Sequence, residues 1–118
     1  MLDVLSEVYS SIKDVSDNVG SCYPSDFDNL PAIEITEEDN SNVVKTDNKE
    51  QVTHFLYRID IWNNDDTWDI TSIVNDNISD LGFVRRQCLE VPDPSGLKHR
   101  LMRFEGYVDR NMRVYDSI

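Results

Sequence analysis

The hydrophobic pattern is clearest between Val52 and Trp62, VTHFLYRIDIW. Phe55, Tyr57, Ile59 and Ile61 take one phase of a period-two alternation; His54, Arg58 and Asp60 take the other, with Leu56 and Trp62 among them. This predicts a strand covered on one face and half polar on the other, and its aromatic and β-branched composition agrees. Two amphipathic helices are available as cover. Leu2, Leu5, Val8, Tyr9, Ile12, Val15 and Val19 recur at three- and four-residue spacing and predict a helix over residues 2–19, stopped by Gly20. Trp68, Ile70, Thr71, Ile73, Val74, Ile78 and Leu81 predict a second over 67–81, ended by Gly82, with Asp66 and Asp69 as a weak capping box that also complements the helix dipole.

The intervening stretches are shorter or less regular. Residues 22–31 hold Pro24 and Pro31 and read as an ordered irregular segment that Tyr23, Phe27 and Leu30 pin to the core. Residues 32–37 predict a short strand with Ile33 and Ile35 on one face. Residues 39–50 are polar and turn-prone apart from Val43 and Val44, and read as a long hairpin connection or solvated loop. A strand over 83–91, a turn at PDPSG (92–96) and a longer strand over 97–108 make a hairpin, and 112–115 supply a short last strand or arm.

The order α-β-β-α-β-β-(β) predicts an α+β fold: a two-layer sandwich in which a mostly antiparallel sheet of four or five strands is covered by two helices, one domain over residues 1–118. Leu5, Val8, Ile12, Phe55, Tyr57, Ile59, Ile61, Ile73 and Phe104 are the expected core. Such a core is small, so an oligomer that covers the wet face of the sheet is a reasonable addition.

Charge changes the picture of the surface. The formal net charge is −12 and it is unevenly placed: residues 1–80 carry 18 acidic and 4 basic groups, a net of −14, while residues 81–118 carry 5 acidic and 7 basic groups, a net of +2. An acidic surface repels phosphate, so specific nucleic-acid binding is not expected; the charge suits either plain solubility or an assembly in which an acidic face of one copy or partner meets a basic one. No segment has the apolar length to cross a bilayer and the amino terminus lacks a signal-peptide succession. The expectation is a soluble intracellular product with no membrane partner, in which Cys22 and Cys88 are reduced thiols.

Candidate chemistry adds little. The sequence holds no phosphate-binding glycine loop, no paired cysteine motif, no zinc-protease signature and no serine elbow, so neither an enzyme nor a cofactor or metal protein is expected. His54 and His99 lie on expected strands and read as polar-face or satisfied core residues. Glu34, Glu37, Glu38 and Asp39, like Asp65, Asp66 and Asp69, miss calcium-loop spacing and read as solvated acid. Cys88 beside Arg86 reads as a buried cysteine.

The residue order carries more. YPxxFxxLPxIxIxEEDNS over 23–41, HFLYRIDIW over 54–62 and LGFVRRQCLEVPDPSGLKHRLMRFEGYVDRNMRVY over 81–115 resemble the tail-completion and head-tail joining proteins, including tail terminators, of long-tailed bacteriophages and prophages. IDIW, LGFxR and KHRLMRFEGYVDRN are the most specific pieces, and the similarity covers nearly the whole chain. The resemblance implies a subunit, monomeric in solution or assembled, that forms a hexameric ring at the head-proximal end of the tail tube. Its partners there are the tail tube protein and the head connector or stopper protein, and its place is the virion, after assembly in the host cytoplasm. On that basis Arg85, Arg86, Arg100 and Arg103 are candidate contacts with acidic surface on a neighbour, Asp69 and Asp76 lie on the other side of the contact, and the loop bearing Val43 and Val44 reaches into a neighbour or the tube. A second class stays open: an acidic DNA mimic or inhibitor encoded by a mobile element, which requires one continuous exposed acidic face.

Overall fold

The computed structural model describes residues 1–46 and 49–117. Its elements are α1 (Leu5–Ile12), β1 (Asn18–Gly20), β2 (Ala32–Thr46), β3 (Lys49–Asn63), α2 (Trp68–Asp80), β4 (Val84–Val91), β5 (Lys98–Asp109) and β6 (Val114–Tyr115). They form a two-layer α+β sandwich with both helices on one face of a mostly antiparallel sheet. The strand order is β1-β2-β3-β5-β4, β1 lies parallel to β2, and β6 pairs with β5 beyond the end of β4.

β3 is the centre of this arrangement because it has a strand on each side and helices over one face. Phe55, Tyr57, Ile59 and Ile61 are fully buried there. The register sets Ile59 between Ile35 and Met102, Tyr57 opposite Phe104, and Ile61 opposite Ile33. Val4, Val8 and Ile12 from the first helical segment and Val74 and Ile78 from α2 close over them. Each such side chain contributes about 1.5–3 kcal/mol by leaving water. Gly106 on β5 is required by space: an added Cβ would come within 2.6 Å of the Phe83 ring and 2.9 Å of Val114. Gly82, at φ +107°, ends α2 and donates its N–H to the Ser79 carbonyl at 2.9 Å.

Four expectations are corrected. The first helix ends at Ile12, not residue 19, because Ser16, Asn18 and Val19 are recruited elsewhere. The Ser16 hydroxyl donates to the Pro31 carbonyl at 2.5 Å, the Asn18 amide donates to the Asp26 and Asn29 carbonyls at 2.8 and 2.9 Å, and Val19 pairs with Ile33. These bonds to the 26–31 segment, with the pairing of Val19, draw the chain out of the helix and add β1, so the sheet has six strands.

The expected loop is instead the outer part of a β-hairpin: Asn40 pairs with Phe55, Ser41 with His54, Asn42 with Thr53 and Val44 with Val52. Register shifts after Glu37, Asn42 and Val44 break the alternation, and residues 40–45 are exposed on both faces, so the ladder leaves no apolar period to read. Positions 47 and 48 of that stretch lie outside the described residues. The third correction is Ile73, which is 47 % exposed. Thr71, Val74 and Ile78 set the buried face of α2, and Ile73 sits about 100° away from Val74 around the helix. Finally, Leu5 packs at the margin of the core, only partly buried.

Candidate assembly surface

The sheet face turned away from the helices collects the polar phase of every long strand. From β3 it takes His54, Leu56, Arg58, Asp60 and Trp62; from β5 it takes His99, Leu101, Arg103, Glu105 and Tyr107. These side chains are tied into a network instead of standing free. The His54 Nδ1 meets Asp39 Oδ2 in a short contact, and its Nε2 lies 2.7 Å from Glu105 Oε2. A neutral imidazole has one donor nitrogen, so two carboxylates can both accept only from the imidazolium. Burial works against that charge, but hydrogen bonds and charge from Asp39 and Glu105 outweigh it and raise the His54 pKa. In return His54 lowers both carboxyls, with Arg86 adding to the effect on Glu105.

A second histidine is held in a related way. His99 Nε2 lies 2.8 Å from Asp60 Oδ1, its Nδ1 lies 3.5 Å from Asp93, and its ring stacks on Trp62 at 4.5 Å. Asp60 also accepts from Arg58 at 2.9 Å, and the Trp62 indole N–H donates to Asp93 at 3.2 Å. Tyr23 and Phe27 meet Trp62 edge-on at 5.6 and 5.5 Å, so the irregular segment is pinned to the open face and not to the helix-covered core. Glu34, beside Asp60, has its pKa raised by burial and then by that neighbouring charge. On the core side, Tyr57 donates to Glu37 at 2.7 Å, and burial followed by this carboxylate pushes the phenol upward.

The four expected arginines are split between the two layers. Arg86 donates to Glu105 at 2.9 Å and Arg103 to Glu38 at 2.8 Å, both on the open face. Arg85 donates to Asn75 of α2 at 3.1 Å, and Arg100 reaches Thr67 at 3.4 Å with its guanidinium 6.0 Å from the Trp68 ring, both on the helix side. Asp69 and Asp76 are exposed on α2. The arginines therefore do not make one patch, and two of them are neutralised within the chain. Val43 and Val44 are 42 % and 41 % exposed on the hairpin.

Among the described residues no group of three or more His, Cys, Asp or Glu side chains is arranged to hold a metal ion. A depression of about 400 Å³ beside the β4–β5 turn, lined in part by Val91, Asp93, Lys98 and His99, opens to solvent. Cys22 is exposed and Cys88 half-buried, both as free thiols. The histidine bridges are not legible in the sequence: His54 is 15 positions from Asp39 and 51 from Glu105, so only the strand register joins them. Compared with protein-family models and with curated proteins, the chain matches none.

Proposed function

We propose that this chain is a structural virion subunit that forms a ring of six copies at the head-proximal end of a phage tail tube, completing the tail and joining it to the head connector. The observation that supports this reading is the β2–β3 hairpin. It pairs two 15-residue strands, and β5 accompanies β3 only as far as Val52, beyond which the pairs Lys45–Glu50 and Thr46–Lys49 continue as a two-stranded extension of a molecule measuring 51 × 24 × 23 Å. Just inside that extension β2 is the edge of the sheet, and its exposed Val43 and Val44 suit contact with a neighbouring subunit or tube. The residue order over 23–41, 54–62 and 81–115 supports the same reading.

The acidic charge suits this role better than mimicry of DNA. On the open sheet face Glu38, Asp39, Asp60, Asp93 and Glu105 each meet an arginine or histidine of the same chain, so these five are not free to stand in for phosphates as a mimic requires. Co-sedimentation separates the two. The purified chain is expected to pellet with headless tails assembled without it, and to remain in the supernatant with immobilised DNA-binding proteins; the reverse pattern would overturn the proposal.

A further inference from the structure

With Arg86 and Arg103 engaged inside the chain, a contact between copies needs other cations, and the β5–β6 turn presents two. Arg110 and Arg113 flank Met112, which is 39 % exposed and holds a left-handed backbone at φ 63°. L residues adopt that conformation rarely, and it persists where the surroundings fix it. Asp109 does so by accepting the Asn111 and Arg113 N–H groups at 2.8 and 3.0 Å and the Tyr115 hydroxyl at 3.0 Å. The result is a rigid apolar knob between two guanidinium groups. Neither arginine forms an ion pair among the described residues, although Arg113 lies close enough to Asp109 to help lower its pKa after the backbone bonds.

A surface of opposite character lies on α2. Asp69, Ile73, Asp76 and Asp80 follow one another at spacings of four, three and four residues, so they form a single exposed stripe. Its centre is the exposed Ile73, and its three carboxylates form no ion pair among the described residues. An apolar centre rimmed by one charge, facing an apolar knob rimmed by the other, has the anatomy of a small polar-edged interface.

We propose that the Arg110–Met112–Arg113 knob of one copy docks on the Asp69–Ile73–Asp76–Asp80 stripe of a second copy. The two patches differ, so the contact is heterologous and each copy offers one of each, which is the requirement for a closed ring. This rests on the ring reading above and assigns the subunit contact within it.

Charge exchange tests it. Sedimentation velocity over a concentration series is run at low and high salt on the wild-type chain, on D69K/D76K, on R110E/R113E, and on an equimolar mixture of the two variants. The wild type is expected to self-associate, more weakly as salt rises. Each variant alone is expected to lose at least tenfold in association constant, and the mixture to recover it, because a lysine stripe then faces a glutamate knob and the remaining faces are native. Wild-type-like association of either variant, no recovery in the mixture, or a wild-type chain that stays monomeric throughout would each overturn the contact. If a charge-reversed chain fails to fold, Ile73→Ser and Met112→Ser are each expected to weaken self-association, and wild-type-like association of both would overturn the contact. Binding of headless tails is scored in parallel: wild-type binding with unchanged association of the variants removes this contact alone, whereas absence of wild-type binding removes the tail reading itself.

Discussion

Replacing His54 by glutamine removes the cation that ties β2, β3 and β5 together at the base of the hairpin. The groups facing it are Asp39 and Ser41 from β2, Glu105 and Tyr107 from β5, and, through Glu105, Arg86 from β4. A charge-assisted hydrogen bond between protected partners contributes about 1.5–3 kcal/mol. Here the Asp39 side chain is 38 % exposed, Glu105 25 % and His54 18 %, so solvent screening brings each bond toward the surface range of about 0.2–1 kcal/mol. The pair together is expected to contribute about 1–2 kcal/mol, close to 3–8 °C in Tm for a domain of this size.

The sign with pH follows from the shifts. The folded His54 pKa lies above its ordinary value of 6.5, so its contribution is complete below that value and is lost as pH rises through the folded pKa. The Asp39 and Glu105 pKa values lie below 3.8 and 4.5, so their contribution is present above those values and is lost as pH falls through the lowered ones. Urea unfolding of the wild type and of His54→Gln at pH 6 and pH 9 isolates the term, since other titrations cancel in the difference. The difference is expected to be largest at pH 6 and to shrink at pH 9. A difference that is the same at both pH values, or larger at pH 9, would refute the imidazolium clamp.

Other expectations concern packing and are checked by the same unfolding measurements. Gly106→Ala pushes a methyl group into the Phe83 ring and Val114, and is expected to cost about 1–3 kcal/mol. Ile78→Ala, at a fully buried site, is expected to cost about 2–5 kcal/mol, whereas Ile73→Ala on the same helix should change stability by less than about 0.5 kcal/mol. Equal costs would show that the buried face of α2 is misassigned. The Thr71 hydroxyl is buried without a hydrogen-bond partner among the described residues, so Thr71→Val is expected to raise stability by about 1 kcal/mol, and a loss would mean the hydroxyl is satisfied.

The two-layer fold is legible in the sequence wherever one face of an element is buried and the other is not. Phe55, Tyr57, Ile59 and Ile61 announce β3, and Val74 and Ile78 announce α2, because burial selects residue type at a fixed period. The end of α1 is not legible in this way: Val15 and Val19 fit a helical stripe, and only the partners of Ser16 and Asn18, far along the chain, turn Val19 into a strand. The outer hairpin is hidden because bulges shift its phase and residues 40–45 are exposed on both faces. Arg85, Arg86, Arg100 and Arg103 look like one basic group in sequence, yet strand alternation and a bulge between Arg85 and Gln87 send them to opposite layers. Both histidine bridges depend on register across strands, information that no local pattern contains.

The most direct test of the proposed role is electron microscopy of tails assembled by the same genetic element with this chain withheld, before and after addition of the purified protein. The expected result is a new ring of density at one end only, the head-proximal end, of most tubes, with its six-fold symmetry visible in end-on averages. Tube ends that stay unchanged at concentrations sufficient for assembly would contradict it.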